Sequence, residues 1–339
     1  MGLVKEQLTG GWRNWHSDDV PLRIGVSGCM LGATVRYDGG HARDRFVTDQ
    51  LGPWVEWVSV CPEVEVGMGV PRPTIRLVER DEPKPDGSTD QRLIAPSSGE
   101  DHTASMTSFA QERAEGLSEL DGFIFKKSSP TCGLYRVKVY HENGHGAHKQ
   151  GRGLFAEAML TRYPWLPAEE DGRLNDARLR EKFIERIFSR NRWRALTQRG
   201  LDRRALVAFH TAHKLIIRAH DEGSYQRLGR LVGAFGTRPD GEIFCEYEGE
   251  FHRALERMAS RGRHVNVLQH ALGYLKDLLG PREKTELLTA IDDYRAGLLP
   301  LVVPVTLLRM AIVHYEVEYL AGQLYFEPHP KELMLRNHV

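Results

Sequence analysis

Apolar and polar positions follow two rhythms along this chain, and the change falls near residue 154. Upstream, short apolar runs stop abruptly at Gly, Cys or Pro. LRIGVS (22–27) ends at Gly28-Cys29, WVEWVSV (54–60) ends at Cys61-Pro62, and GFIFK (122–126) runs into KSSPTCG. Short apolar runs bounded by turn formers predict strands. YRVKVY (135–140) alternates and predicts an exposed or edge strand. Between Asp101 and Leu120 the spacing is helical, with Met106, Phe109 and Ala110 apolar and Glu112, Arg113 and Glu115 polar. DEPKPDGSTDQ (81–91) and ENGHGAHKQGRG (142–153) read as a surface loop and a flexible stretch.

Beyond about Leu154 the spacing becomes i, i+3, i+4. It recurs at 204–220, 224–235, 251–259, 264–279, 282–299 and 304–325. The expected fold is an α/β N-terminal domain, with a short, mainly parallel sheet and flanking helices, followed by an all-α C-terminal domain of about five or six helices. The expected boundaries are an N-terminal extension at 1–20, the α/β domain at 21–165, a basic helical connector at 166–204 and the helical domain at 205–339.

At 339 residues there is length for two cores. With 41% hydrophobic and 27% charged residues the usage is ordinary, which excludes a disordered chain, a collagen-like fibre and a coiled-coil rod. The longest apolar runs fall short of a membrane span. The first twenty residues lack an apolar leader, and Glu6 stands where N-myristoylation needs Ser or Thr, so neither signal is expected. Residues 1–150 carry 17 basic against 21 acidic groups and the remainder 29 against 25, so a polyanion partner is expected on the second domain. The four cysteines, Cys29, Cys61, Cys132 and Cys245, show no C-x-x-C spacing; reduced thiols and a cytoplasmic location are expected.

Three of those cysteines share a setting. SGCMLG, VCPEVEVGMG and SSPTCG each place a thiol among Gly or Pro, near the end of an expected strand. In parallel sheets ligands gather at such ends. Three converging thiolates suit an iron–sulfur cluster, zinc or copper(I), with one metal position left open; equally, buried free cysteines are common small hydrophobes. Glu63, two residues after Cys61, is either a general base or a solvated strand-end carboxylate. Ser129 is a hydrogen-bond donor or a turn cap. The loop Arg36-Tyr37-Asp38-Gly39-Gly40, together with Arg72, is a candidate substrate-binding region or, for the loop, only a tight turn. Cys245, between acids, reads as a core residue, and His210 and His213 as ordinary helix histidines.

The blocks SGCMLGATVRYDGG, VCPEVEVGMGVPRP and KKSSPTCG resemble the three signature blocks of the thiouracil desulfidase (TudS) family, over roughly residues 22–160. HKLIIRAH…YQRLGRLV, RHVNVLQHALGYLK, DDYRAGLLPLVVPVTLL and YFEPHPKELMLRNHV resemble the YbgA-type helical domain, over roughly 205–339. The fused architecture is similar to that of the RudS tRNA 4-thiouridine desulfidases. Gly28 and Met30 stand where Ala or Leu is more usual.

The resemblance implies a 4Fe-4S cluster held by Cys29, Cys61 and Cys132, with one iron free of protein ligands, and Glu63 and Ser129 as catalytic side chains. It implies removal of sulfur from 4-thiouridine in tRNA, or from thiouridine nucleotides, without net redox change. The rivals are a free thiouracil or thionucleotide desulfidase whose C-terminal domain is merely structural, and a non-catalytic iron–sulfur sensor or RNA-binding protein. No membrane and no obligate protein partner are expected. The RNA contacts would come from the segment 185–204, where seven arginines face two acids with Phe188 and Trp193 interleaved, and from a second cluster of Arg257, Arg261, Arg263 and His264. The candidate contacts are Arg190, Arg192, Arg194, Gln198, Arg203, Arg204, Arg261 and Arg263.

Overall fold

The structure is a computed structural model that describes residues 11–79, 91–144 and 147–337. The chain divides into two units, Pro21–Asn175 and the flanking segments up to Val20 and from Asp176 onward. The expected connector at 166–204 is therefore shared between them rather than being a separate piece. The loop expected at 81–91 lies, apart from Gln91, outside the described residues, as do residues 1–10.

The first unit holds eight strands among its described residues: β1 (Arg23–Ser27), β2 (Glu56–Val60), β3 (Arg76–Glu79), β4 (Gln91–Ile94), β5 (Gly122–Phe125), β6 (Val137–His141), β7 (Ala147–Gly151) and β8 (Ala168–Glu170). Its helices are α1 (Pro62–Glu65), α2 (Thr103–Glu115) and α3 (Leu154–Arg162). One sheet has the order β2-β1-β5-β8 and is parallel throughout. The three apolar runs 22–27, 54–60 and 122–126 supply its first three strands. Phe123 and Phe125, two residues apart and so on one face, stack at 4.1 Å, and Phe155 of α3 meets Phe123 edge-on at 5.7 Å. Ala110 and Ala114 of α2 and Met159 of α3 complete this core.

A second sheet, β4-β3-β6-β7, joins one parallel pair to two antiparallel edges. The alternating run at 135–140 becomes β6 here. β7 lies inside the stretch expected to be flexible: Val139 pairs with His148 and Tyr140 with Ala147.

The second unit begins with Trp12 buried against Phe188 and continues as helices α4 (Ala177–Gln198), α5 (Arg203–His220), α6 (Glu222–Gly233), α7 (Asp240–Glu256), α8 (Arg261–Leu275), α9 (Pro281–Ala296), α10 (Val302–His314) and the short α11 (Glu318–Ala321). Asp176, Asp202 and Asp221 cap the starts of α4, α5 and α6 through their carboxylates, each worth about 1 kcal/mol. The helix expected at 304–325 breaks after His314, where Glu316 takes φ 54° and the Val317 N–H turns back to the Ile312 carbonyl. The helix expected at 251–259 starts eleven residues earlier, at Asp240.

This core contains an unusual number of neutral histidines. Burial lowers His210 to about 4, His264 to about 3 and His329 to about 4, and holds His213 and His252 well below their ordinary value. His210 meets the Tyr247 hydroxyl at 3.0 Å, His264 the Tyr325 hydroxyl at 2.9 Å, and His213 Nε2 accepts from Arg192 at 3.1 Å. A histidine buried neutral contributes stability that is complete above its unfolded pKa of about 6.5 and is lost as pH falls from there toward its folded value, at about 1.4 kcal/mol per pH unit per group. Urea denaturation followed by the helical circular dichroism signal should show the helical unit's midpoint steady near neutrality and falling steeply between pH 6.5 and 4. A midpoint that does not move over that range would mean the histidines are charged in the fold.

Candidate active site

Strand order decides where the site forms. The chain leaves the central β1 to make β2 on one side and returns to make β5 on the other. A parallel sheet opens a crevice at such a reversal, beyond the carboxyl ends of its strands. Cys29 follows β1 by two residues, Cys61 follows β2 directly, and Cys132 stands seven residues after β5. All three thiols line one cavity of about 340 Å³, with Glu63, Ser129, Arg36, Tyr37 and Arg72 also in its wall.

Each sulfur is held by a different device. Cys29 sits in a short turn, Gly28–Leu31, whose exit residue Gly32 takes φ 97°; the Cys29 carbonyl then accepts from Gly32 at 3.2 Å and from Ala42 at 2.9 Å. The Cys61 N–H donates to Glu65 Oε1 at 2.8 Å, and Glu65 is itself gripped by Arg113 of α2 at 3.0 Å. Cys132 lies in a turn closed by Gly133 N–H to Ser129 O at 2.8 Å. The first amides of α3 cover that turn: Phe155 and Ala156 donate to Thr131 O at 3.0 and 3.2 Å.

Burial pushes all three thiols up: Cys61 to about 11, Cys132 further, and Cys29 upward despite opposition from Lys126. Among the described residues no group of three or more His, Cys, Asp or Glu is arranged to hold a single metal ion. The three cysteines instead share the wall of one cavity. Soft donors spaced around a cavity fit a polynuclear group better than one ion.

Glu63 is the best-anchored carboxylate in the cavity. Arg72 donates to its Oε2 at 2.9 Å, with the two side chains only 4% and 14% exposed. A pair this buried needs its remaining hydrogen bonds filled, and Arg72 fills its own on Val35 O at 3.0 Å and Gly69 O at 3.1 Å. On the other oxygen, Thr131 Oγ1 donates to Glu63 Oε1 at 2.6 Å and Ser129 Oγ stands 3.4 Å away. Ser129 Oγ also accepts from the N–H groups of Thr131 and Cys132, at 3.2 and 3.1 Å. It thus caps the sulfur-bearing turn and faces the carboxylate at once.

Arg72, expected among the substrate contacts, is spent on Glu63. Arg36 and Tyr37 do reach the cavity. Asp38 does not line it; it pairs with Arg36 at 3.2 Å and accepts from Gly40 N–H at 3.0 Å, while Gly39 takes φ 76°, so the segment is a tight turn that presents Arg36 and Tyr37, but not Asp38, to the cavity. Thr131 escaped the sequence reading, although a hydroxyl directly before Cys132 was a visible signal. Lys126, which lines the cavity and pairs with Asp171, was also missed.

The expected RNA contacts fare differently. Arg192 is 3% exposed and is bound to His213, Ser189 and the Pro328 carbonyl, so it cannot meet a phosphate. Phe188 and Trp193 are core residues, Trp193 stacking on Tyr247 at 5.6 Å, and His264 is buried and neutral. Arg190, Arg194 and Arg263 are half-buried, Arg263 donating to His220 O. Arg203 is exposed but paired with Asp240 at 2.7 Å; Arg261 lies over the Tyr294 ring; Gln198 and Arg204 are exposed. Cys245 is exposed, not a core residue, because α7 buries Ile243, Tyr247 and Phe251 and turns position 245 outward.

Comparison with known proteins bears on both units. The 2-thiouracil desulfurase family model matches residues 24–171, and the model of a protein family of unknown function, DUF1722, matches 214–330. The uncharacterized protein YbgA of Escherichia coli K12 is 30% identical over 165 residues, which is 48% of this chain and 98% of YbgA. Among solved structures, the 4Fe-4S-dependent thiouracil desulfidase TudS is 28% identical, with a TM-score of 0.35, covering 45% of this chain and 93% of that one.

The Cys132 turn offers a direct test of how tightly the site is built. A Cβ at Gly153 would fall 2.4 Å from Thr131 O, backbone against backbone, although its φ of −65° suits any residue. Gly153→Ala should therefore cost about 1–3 kcal/mol through steric displacement alone. Urea denaturation of the metal-free protein measures it, and an unchanged midpoint would show that the turn yields freely.

Proposed function

Because this chain belongs to the YbgA family, and joins to that half an N-terminal 2-thiouracil desulfurase domain, we propose that it hydrolyses the carbon–sulfur bond of 4-thiouridine, in tRNA or in thiouridine nucleotides. The observation that carries this reading is the meeting of three thiols with an anchored carboxylate and the Ser129 hydroxyl in one cavity.

Cys29, Cys61 and Cys132 would hold a 4Fe-4S cluster, leaving one iron without a protein ligand. When bound, that cluster supplies a soft Lewis acid matched to a thiocarbonyl sulfur. The rest of the chemistry falls to the chain. Water adds at C4 of the pyrimidine, and Glu63 takes its proton. Arg72 on Oε2 keeps the carboxylate oriented, so Oε1 is the oxygen that works, beside Thr131 and Ser129. Ser129, whose hydroxyl lines the cavity, can pass that proton onward as the C–S bond breaks, while the buried Thr131 holds Oε1 in place. Thiouridine and water become uridine and hydrogen sulfide, with no change of oxidation state. A free-base desulfidase remains the second reading, favoured by the enclosure of the cavity within one unit.

Protein prepared without oxygen should contain iron and acid-labile sulfide. Glu63→Ala should keep both yet lose turnover of a thiouridine nucleotide by about a hundredfold or more. Cys29→Ala should lose the iron itself. Full-rate turnover by the Glu63 variant removes that residue as the base, and stoichiometric iron in the Cys29 variant removes the ligand assignment.

A further inference from the structure

Beside the sulfur-lined cavity lies a second cleft, of about 540 Å³, that shares Ile75, Lys127, Ser128 and Pro130 with the cavity wall. Its floor is the outer face of the second sheet. Strand alternation sends Leu77, Val137 and Val139 into the core and turns Arg76, Lys138 and Tyr140 the other way. Lys149 joins them from β7, and Lys127 and Arg136 from the turns at the rim. Among the described residues, none of Arg76, Lys127, Arg136, Lys138 and Lys149 has an ion-pair partner, and Arg76 Nε is buried without a hydrogen bond.

That is out of keeping with the rest of the chain. Arg238, for example, carries both Glu242 and Glu246. Around this cleft the nearby acids are already engaged: Glu170 gives Oε1 to the N–H groups of Leu134 and Tyr135, Glu169 holds Arg173, and Glu79 faces His141 and His148. Glu170 and Arg173 also line the cleft, and five unpaired cations against that one engaged carboxylate repel one another unless something negative fills it. The first 150 residues carry more acids than bases overall, so this concentration is local. Two tyrosines stand among the cations, Tyr140 under Arg76 and the exposed Tyr135 under Arg173, each with 4.7 Å from guanidinium to ring centre. Ser128 (φ 63°) and Arg136 (φ 53°) hold the rim in the left-handed region without being glycine, a strain that persists where function requires the shape.

We propose that this cleft holds the RNA strand flanking the thiolated pyrimidine, with its phosphates on the five cations and an unstacked base against Tyr135. A charged groove interleaved with aromatics is the recognition mode of single-stranded nucleic acid. A base drawn out of its stack into the neighbouring cavity leaves its flanking phosphates at the shared rim. The position of the reacting base rests on the desulfidase reading above; the charge of the cleft does not. On this proposal the polyanion site lies on the α/β unit, whereas the charge balance of the sequence pointed to the helical one.

The test uses the full chain, prepared without oxygen, and the exposed pair Lys138→Glu with Lys149→Glu, backed by Lys138→Gln with Lys149→Gln in case charge reversal disturbs folding. The probes are a fluorescent unmodified single-stranded RNA for affinity, and a thiouridine-containing RNA, thiouridine monophosphate and free 4-thiouracil for turnover. RNA affinity should fall about tenfold or more in the glutamate pair and less in the glutamine pair. The slope of log affinity against log salt should become shallower by about 0.7 per lost contact. Turnover of free 4-thiouracil should be unchanged. Unaltered RNA affinity in both variants overturns the proposal. Loss on thiouridine monophosphate as large as on RNA overturns the strand assignment and leaves a single-phosphate site. If no substrate is turned over by any form while RNA affinity still falls, the desulfidase reading fails and the RNA cleft stands.

Discussion

Everything at the candidate site depends on one property of a parallel sheet: all its strands finish at the same edge. Residues 29, 61 and 132 are far apart along the chain, yet each comes just after a strand of one sheet. Hydrogen bonding between β2, β1 and β5 therefore brings their sulfurs to a common crevice before any metal is considered. The reversal of strand order beside β1 keeps the middle of that edge free of crossing chain. Turns rich in Gly and Pro then set how far each sulfur projects, and the cover of α3 over Thr131 fixes the last of them.

The carboxylate in that crevice is held as firmly as the sulfurs. Arg72 and Thr131 follow Glu63 in the chain at very different distances and take one oxygen each. An arginine this enclosed has no freedom to serve a passing ligand, since withdrawing it would strand Glu63 as a lone buried charge. Arg36 and the exposed Tyr37 also line the cavity and are not tied to Glu63.

How much of this was readable beforehand follows from what a linear pattern encodes. The strands at 22–27 and 122–126 were legible because β1 and β5 are central and largely buried, and the one at 54–60 because, although β2 is an edge strand with Glu56 and Ser59 exposed, its remaining residues are apolar and it stops at Cys61-Pro62. β3, β4, β7 and β8 were not: RLVE, QRLI, AHKQG and AEE are short and carry charge. In β8 the two glutamates are buried because Arg173, four residues on, satisfies Glu169, and the amides of Leu134 and Tyr135, far off in sequence, satisfy Glu170. The same blindness misplaced Arg192 and Trp193, where charge and aromaticity suggested an RNA face but long-range partners made a core. Local context placed the three cysteines after strand ends, and only the family resemblance singled them out together as ligands. The Arg72–Glu63–Thr131 clamp was not legible, because its members are joined only in space.

The fourth cysteine has a practical side. Position 245 looks outward from α7, while Cys29 and Cys132 are buried, Cys61 is half-buried, and burial holds all three thiols protonated. Alkylating reagents consequently meet a molecule with a built-in order of attack. A dye or spin label added briefly at neutral pH settles on the helical half and spares the sulfur-lined crevice, giving a reporter on one unit that leaves the chemistry of the other intact.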